Sequence, residues 1–225
     1  MIVIKRGKEP NSLLKFRKEN PDADYETDMP TDVLKDIREQ MWEEQRCLCA
    51  YCMKKIEAPS VVRIEHCRPR HPQDEQEHDK KATLDFKWML GVCYGNSLVR
   101  GVKPKDKTCD AHRGNTELTV NPFDEMSVRK IKYKADGSIY SDDADINKDV
   151  TGTLNLNCQA LSLPQTRKNV LMAEKNRIMK KCKGKSQDAF MRELERTYTS
   201  LVQEGNLTPY CGIIISWLES KLKIS

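Results

Sequence analysis

The sequence has none of the long apolar segments that mark secreted and membrane proteins. Its N-terminal stretch, MIVIKRGKEP, lacks the apolar core of a signal peptide, and no later stretch reaches the roughly 20 apolar residues of a membrane span. These absences predict a soluble cytoplasmic protein with no membrane partner. Because disulfides rarely persist in that reducing compartment, the clustered members of its nine cysteines are expected to bind metal.

The chain also lacks internal repeats, long linkers and an alternation of basic and aromatic residues. The last absence argues against a platform on which single-stranded bases stack. The 225 residues suit one domain, or a core with a sizeable helical addition. Lys and Arg total 39 against 34 Asp and Glu, a mildly basic balance that permits a polyanionic partner without requiring one.

The most informative stretch runs from residue 49 to residue 115 and contains CAYC, RIEHCRPR, GVCYGN and TCDAHRGN. Two residues separate Cys49 from Cys52, the spacing at which two thiolates bind one Zn²⁺ from a tight turn. Cys93 and Cys109 would complete a tetrahedral site, although Cys109 could instead pair with His112. In the bland interpretation some of these cysteines are small buried apolar residues, which is how we interpret Cys47 and Cys67.

Local patterns predict the elements around this stretch. A strand or extended arm is expected at Ile2–Ile4, then irregular chain, then a helix that starts at residues 30–32 and runs to the first cysteine pair. A hairpin with its turn near residues 58–60 should end at Glu65 and His66. Residues 84–92 are apolar enough for a short buried helix. The segment 70–82, with His71 and His78, is expected to be a charged, solvated loop.

The second half predicts strands at residues 118–120 and 130–133, with a hairpin turn at 135–138. Three helices should follow. The first begins at Pro164 and is broken by the lysines of residues 180–185, the second carries an apolar stripe that includes Leu194 and Leu201, and the third begins near Pro209. These helices carry more apolar surface than a small core needs, so we expect residues 164–222 to supply a partner interface as well as core packing.

The order of residue types resembles that of zinc-carrying HNH nucleases, and most closely the HNH endonuclease subunit of retron and Septu anti-phage systems, the PtuB-like family. The motifs that carry the resemblance are CAYCMKKIE, RIEHCRPR, MLGVCYGN and TCDAHRGNTELTVNPF, and it extends to LNLN at residues 154–157. It implies an α+β fold in which a ββα-metal nuclease core with a zinc knuckle occupies residues 47–123. An N-terminal arm and helix (1–46) and a hairpin with C-terminal helices (124–225) would join it in one compact unit.

The resemblance also implies roles for individual residues. His66 would be the general base, Glu65 and Asp110 would hold a catalytic Mg²⁺ or Mn²⁺, and His112 is the other candidate for the last position of the motif. It favours the pairing of Cys93 with Cys109 at a structural Zn²⁺, because such relatives share the insertion between these cysteines. The implied partners are a DNA or RNA substrate, an ABC-type ATPase subunit and, in retrons, a reverse transcriptase with its RNA–DNA product.

The sequence departs from the family pattern at one position. The middle Asn of the motif, which orients the base, is expected in FKWMLGVC, where Lys87 and Trp88 stand instead. Asn96, Asn115 or a backbone carbonyl would then orient His66. An alternative function is therefore a zinc-stabilised module that binds nucleic acid or the ATPase and has a decayed catalytic site.

A group of cations lies beside the proposed site. Such a charge run can be a solvated face, or it can contact phosphates independently of base sequence. We interpret four residues in the second way: Lys103, Lys105, Lys107 and Arg113.

Overall fold

The computed structural model describes residues 1–70, 80–205 and 207–224. Within these ranges the protein has the expected mixed α+β fold, with helices and two small antiparallel sheets. The helices are α1 (Asn11–Glu19), α2 (Thr31–Glu44), α3 (Lys80–Thr83), α4 (Asp110–Arg113), α5 (Glu125–Arg129), α6 (Ala144–Lys148), α7 (Leu163–Cys182), α8 (Gln187–Val202) and α9 (Gly212–Leu222). The strands are β1 (Arg63–His66), β2 (Met89–Val92), β3 (Ile131–Tyr133) and β4 (Ile139–Ser141). His71 and His78 lie outside the described residues.

The helices predicted from apolar spacing are confirmed. Helix α2 begins directly after Pro30 and buries Ile37 and Met41 on one face, which leads the chain into the first cysteine pair. Helices α7, α8 and α9 form the C-terminal helical region, and the apolar stripe of α8 buries Leu194 and Leu201. None of the helices in the described ranges is both long and apolar enough to pass through a bilayer.

The predicted buried helix at residues 84–92 is wrong, because Met89–Val92 is strand β2. This strand pairs antiparallel with β1, so that His66 lies opposite Met89 and Arg63 opposite Val92. All four residues of β2 are buried, and a short apolar run buried on both faces has no periodicity that separates strand from helix. The predicted hairpin with its turn near residues 58–60 is wrong. A 3₁₀ turn does form at Pro59–Val61, but the partner of β1 is β2, which comes later in the chain.

The strand predicted at residues 118–120 is absent from the described chain, whereas the β3–β4 hairpin is confirmed. Of the strand or extended arm expected at Ile2–Ile4, the strand does not form. The Asp149 carboxylate accepts hydrogen bonds from the backbone N–H groups of Thr119 and Val120 (2.6 and 2.8 Å), which replaces a strand partner there. Helix α1 forms in the stretch expected to be irregular. Its Leu13 is fully buried. The helix is only nine residues long and has Pro10 and Pro21 on either side, so its apolar spacing was too short to recognise.

The buried apolar side chains of the described residues form two clusters that meet at the first cysteine pair. The first cluster joins the N-terminal residues, α2, the β1–β2 sheet and the chain up to Leu156. The second joins α7, α8 and α9 to Leu48 and Met53, which flank the cysteine pair. Met53 also accepts a hydrogen bond on its carbonyl oxygen from the N–H of Tyr210 (3.0 Å). The C-terminal helices therefore support the turn that presents the cysteines.

Candidate metal centre and the adjacent histidine site

The four cysteines predicted from the sequence form one cluster in the structure: Cys49, Cys52, Cys93 and Cys109. Their Sγ atoms all lie within 4.8 Å of one another. The distances are 3.9 Å from Cys49 to Cys109, 3.7 Å from Cys52 to Cys93, and 3.8 Å from Cys93 to Cys109. A tetrahedron of sulfurs about 2.3 Å from a central Zn²⁺ has edges of about 3.8 Å. The four cysteines can hold a metal ion, and their spacing fits zinc.

The first cysteine pair lies in a tight turn that the backbone closes on itself. The N–H of Cys49 donates to the carbonyl of Lys54 (2.9 Å), and the N–H of Lys54 donates to the sulfur of Cys52 (3.4 Å). Met53 completes the turn with a positive φ of 62°. Backbone N–H groups directed at sulfur stabilise thiolates, which are the form that binds metal. This turn is a zinc-knuckle geometry built from local sequence.

The second pair is brought together by the base of the insertion, which we define as residues 94–108. The N–H of Thr108 donates to the carbonyl of Gly95 (3.0 Å), so the chain returns to where it left. Gly95 has a φ of +52°, and a Cβ there would lie 1.9 Å from the Thr108 oxygen. Only glycine permits this approach. The insertion therefore closes Cys93 onto Cys109 as a short turn would.

The electrostatics of the cluster favour a bound cation. Hydrogen bonds from Cys109, Cys49 and Cys52 lower the pKa of Cys93, while hydrogen bonds with Cys49, Cys52 and Cys93, together with burial, raise the pKa of Cys109. The cluster thus stabilises the thiolate of Cys93. A second thiolate, at the fully buried Cys109, is disfavoured. Four thiolates can coexist in this space only if a cation neutralises them.

Glu65 and Asp110 form a buried carboxyl pair next to the cysteines. Glu65 lies on β1, and Asp110 is the first residue of α4, directly after Cys109; they are 7% and 9% exposed. Burial raises the pKa of Glu65 to about 7, and the charge and hydrogen bond of Asp110 add to this while Arg113 opposes it. The exposed arginine Arg63 donates from Nε to Asp110. Two adjacent carboxyls of this kind suit a hard divalent cation.

The structure corrects the role of Arg113, which the sequence placed among the phosphate contacts. Its side chain is 3% exposed, and it donates to the Glu65 carboxylate. It also donates to three carbonyls, those of His66 (2.7 Å), Cys67 (2.8 Å) and Thr116 (2.8 Å). With its donors committed inside the protein, Arg113 holds β1 against α4 and does not face a solvent-side phosphate.

His66 directly follows Glu65 on β1, and contacts with other elements fix its ring. Its Nε2 is 2.8 Å from the carbonyl oxygen of Thr83, which can only accept, so Nε2 carries the proton and Nδ1 has the lone pair. Burial lowers the pKa of His66 to about 4. Tyr25 packs edge-on against the ring with centroids 4.6 Å apart, and the histidine is 4% exposed. The His66 ring is thus neutral, oriented and covered.

A backbone carbonyl, one of the three alternatives for the missing Asn, therefore orients His66. The side-chain amide of Asn96 donates instead to the carbonyl of Asp106 (3.0 Å), and Asn115 is exposed. His112 points elsewhere, with Nδ1 3.0 Å from the Thr153 carbonyl oxygen.

The predicted phosphate-contacting lysines lie on the insertion. Lys103 and Lys105 are exposed, and Lys107 is half-buried. Sequence reasoning missed Tyr51, which lies inside the first cysteine pair and donates from its hydroxyl to Glu65 (3.2 Å). It also missed the buried role of Arg113, although Arg113 follows Cys109 by four residues and so lies on the same helical face.

Comparison with known proteins adds no assignment to this geometry. No protein-family model matches the chain, and no curated protein matches it.

Proposed function

We propose that the chain is a metal-dependent endonuclease of the HNH type that hydrolyses phosphodiester bonds. It would hold a structural Zn²⁺ at the four cysteines and a catalytic Mg²⁺ or Mn²⁺ at Glu65 and Asp110. One observation carries the proposal: the carboxyls of Glu65 and Asp110 meet next to the cysteine cluster, and the strand that supplies Glu65 also carries the oriented, neutral His66.

The residues divide the reaction between them. Nδ1 of His66 takes a proton from the water that attacks phosphorus, while the Thr83 carbonyl holds the ring in the required tautomer. Because burial lowers the pKa of His66 to about 4, the ring is neutral and ready to accept that proton at neutral pH. A Mg²⁺ or Mn²⁺ ion, when bound, neutralises charge on the phosphate and the leaving 3′ oxygen. Tyr25 covers the ring, so its displacement belongs to substrate entry.

The wider assignment rests on the sequence resemblance. We propose that this nuclease is the effector of an anti-phage defence system, that it acts in the cytoplasm on DNA or RNA, and that an ABC-type ATPase subunit controls it. In a retron, a reverse transcriptase and its RNA–DNA product would join the assembly. The C-terminal helices α7, α8 and α9 are the proposed ATPase-binding region.

A second candidate function is a zinc-stabilised scaffold that binds nucleic acid or the ATPase without cleaving. The observation that favours it is the pairing of both carboxyls with arginines, Glu65 with Arg113 and Asp110 with Arg63. A carboxylate that an arginine already neutralises has less attraction for a metal ion.

Cleavage by the full chain with Mg²⁺ or Mn²⁺ separates the two candidates. His66→Ala should reduce the rate by roughly two to four orders of magnitude, the usual contribution of a general base, and excess Mn²⁺ should not restore it. Asp110→Asn should instead raise the Mn²⁺ concentration needed and be partly rescued by excess. Asp145→Asn, an exposed carboxylate of α6, is the matched control and should cleave like the parent.

The pH dependence gives an independent readout of the base. As the pH falls, His66 stays neutral through the ordinary histidine pKa of 6.5, because its own pKa is lowered to about 4. The acidic loss of activity assigned to this residue should therefore lie below pH 6.5. If folded, metal-loaded His66→Ala cleaves at the parent rate, His66 is not the base and the HNH assignment fails. If the folded, metal-loaded parent does not cleave at all, the scaffold function stands.

A further inference from the structure

The insertion presents two neighbouring aliphatic side chains to solvent. Leu98 is 73% exposed and Val99 is 56% exposed, and neither belongs to the two core clusters. A single exposed apolar residue is ordinary. Two adjacent ones on the same loop form a small apolar patch, which we call the tip, that the packing of the fold does not explain.

Side-chain hydrogen bonds fix the backbone of the insertion that carries the tip. The amide of Asn96 donates to the Asp106 carbonyl across the loop (3.0 Å). From outside the loop, the amide of Asn155 donates to the carbonyls of Lys105 (2.9 Å) and Lys107 (2.8 Å). Each of these bonds fixes backbone near the lysines. The insertion is therefore a preorganised loop, and little conformational entropy is lost when its tip contacts a partner.

The chain that carries the apolar tip turns tightly around it. The N–H of Ser97 donates to the Tyr94 carbonyl (2.8 Å), and the N–H of Val102 donates to the Val99 carbonyl (3.2 Å). These two turns lie on either side of Leu98. Tightly turned backbone therefore holds the exposed pair Leu98 and Val99, which we call the wedge.

Three cations follow the wedge within the same insertion. Arg100, Lys103 and Lys105 are exposed, and none of them forms an ion pair with a residue that the structure describes. Unpaired cations close in sequence to an exposed apolar pair suit a partner that has an anionic surface and an apolar interior. A nucleic-acid duplex has that construction, with phosphates outside and stacked bases within.

We propose that the insertion is a wedge for double-stranded DNA: Leu98 and Val99 enter a base step from the minor groove and kink the duplex, while Arg100, Lys103 and Lys105 bind the flanking phosphates. The proposal deepens the nuclease function and rests on it for the identity of the substrate. Aliphatic wedges act in this way on B-form DNA. The shallow, hydroxyl-lined minor groove of A-form RNA suits them poorly, and single strands would call for aromatic side chains.

The wedge is tied to the candidate catalytic site. The insertion leaves the cluster at Cys93 and returns at Cys109, and Asp110 follows directly. An added Cβ on Gly95 would also lie 3.2 Å from the Ala111 side chain, which places the loop base against α4. A kink made at the tip would therefore be presented at a fixed distance from Asp110. The wedge would select easily deformed steps, because the cost of unstacking depends on sequence.

The test measures DNA bending and binding by the full chain. A short duplex carries a donor and an acceptor dye at its ends, and Ca²⁺ replaces Mg²⁺ so that the DNA stays intact. The parent should shorten the end-to-end distance. The double variant Leu98→Ser/Val99→Ser should abolish this shortening and weaken binding at least about tenfold, since two aliphatic contacts are lost. The matched control, Met172→Ser/Met179→Ser, changes an exposed apolar pair of α7 and should behave like the parent.

A second variant separates the two parts of the wedge. Lys103→Ala/Lys105→Ala should weaken binding and lower the slope of log affinity against log salt by about two, while the DNA that is bound stays bent. Bending by Leu98→Ser/Val99→Ser equal to that of the parent would overturn the proposal. So would equal binding of duplex RNA, or failure of the parent to bind duplex DNA. Unchanged metal content and thermal unfolding confirm that the variants are folded.

Plasmid cleavage with Mn²⁺ distinguishes this proposal from the nuclease function. A parent that bends DNA through Leu98 but does not cleave it would retain the wedge and remove the nuclease. A parent that cleaves, with a Leu98→Ser/Val99→Ser variant that still bends DNA, would retain the nuclease and remove the wedge.

Discussion

Substitution of Arg113 by Met tests the structural role that replaces its predicted phosphate contact. The methionine preserves the length and the apolar stem of the side chain but removes every donor. In the parent, those donors serve the Glu65 carboxylate and the carbonyls of His66, Cys67 and Thr116. Because the side chain is 3% exposed, water does not replace them easily.

The size of the effect follows from these contacts. Removing one partner of a buried ion pair costs about 3–5 kcal/mol, and each buried acceptor left unsatisfied costs about 1–3 kcal/mol. Glu65 limits the total, because its pKa is already raised to about 7 and loss of Arg113 would lead it to take up a proton. We therefore expect a loss of about 3–5 kcal/mol in the free energy of unfolding, which lowers Tm by roughly 6–20 °C for a chain of this size.

Urea unfolding of the metal-loaded protein measures this loss as a lower midpoint with an unchanged slope. Arg129→Met is the matched control. Its side chain is 51% exposed and pairs with Glu125 one helical turn away, so the urea midpoint should hardly change. If Arg113→Met unfolds within about 1 kcal/mol of the parent and instead weakens nucleic-acid binding, the buried role is wrong and the phosphate contact returns.

Two further predictions concern the cations of the site. Cys109→Ser should reduce the bound metal from about one Zn²⁺ per chain and loosen the fold, as chelation should. The control Cys211→Ser changes a buried cysteine outside the cluster and should keep the metal. A folded parent without zinc contradicts this prediction. Arg63→Met should lower the Mn²⁺ concentration for half-maximal cleavage, because it removes the cation now paired with Asp110, and Lys55→Met, at an exposed ion pair, should not. A higher Mn²⁺ requirement in Arg63→Met would mean that Arg63 helps to build the site.

The sequence predicted the parts of this structure that local signals determine. The two-residue spacing of Cys49 and Cys52 dictates a tight turn, and the structure has one. The apolar spacing of α2 and α8 set which faces are buried, and Ala135–Ser138 gave the turn of the β3–β4 hairpin. In each case the residues that decide the structure lie within a few positions of one another, so tertiary context changes little.

The features that were missed depend on residues distant in the chain. Strand β2 is buried on both faces and pairs with β1 more than twenty residues earlier, so its own sequence does not distinguish it from a helix. Arg113 was read as a surface cation because its acceptors, Glu65 and the carbonyl of His66, come from another element. The Thr83 carbonyl that orients His66 is a backbone group, which no side-chain motif can reveal.

The cysteine cluster and the carboxyl pair share their supporting residues. Tyr51, which donates to Glu65, lies between Cys49 and Cys52, and Asp110 directly follows Cys109. A change in sulfur geometry therefore moves the partners of both carboxyls at once, much as outer groups orient the ligands of a metal. Loss of the structural metal would misplace the carboxyls without touching either one. The fixed cysteine frame, rather than the short helix α4 alone, thus holds Asp110 within reach of Glu65.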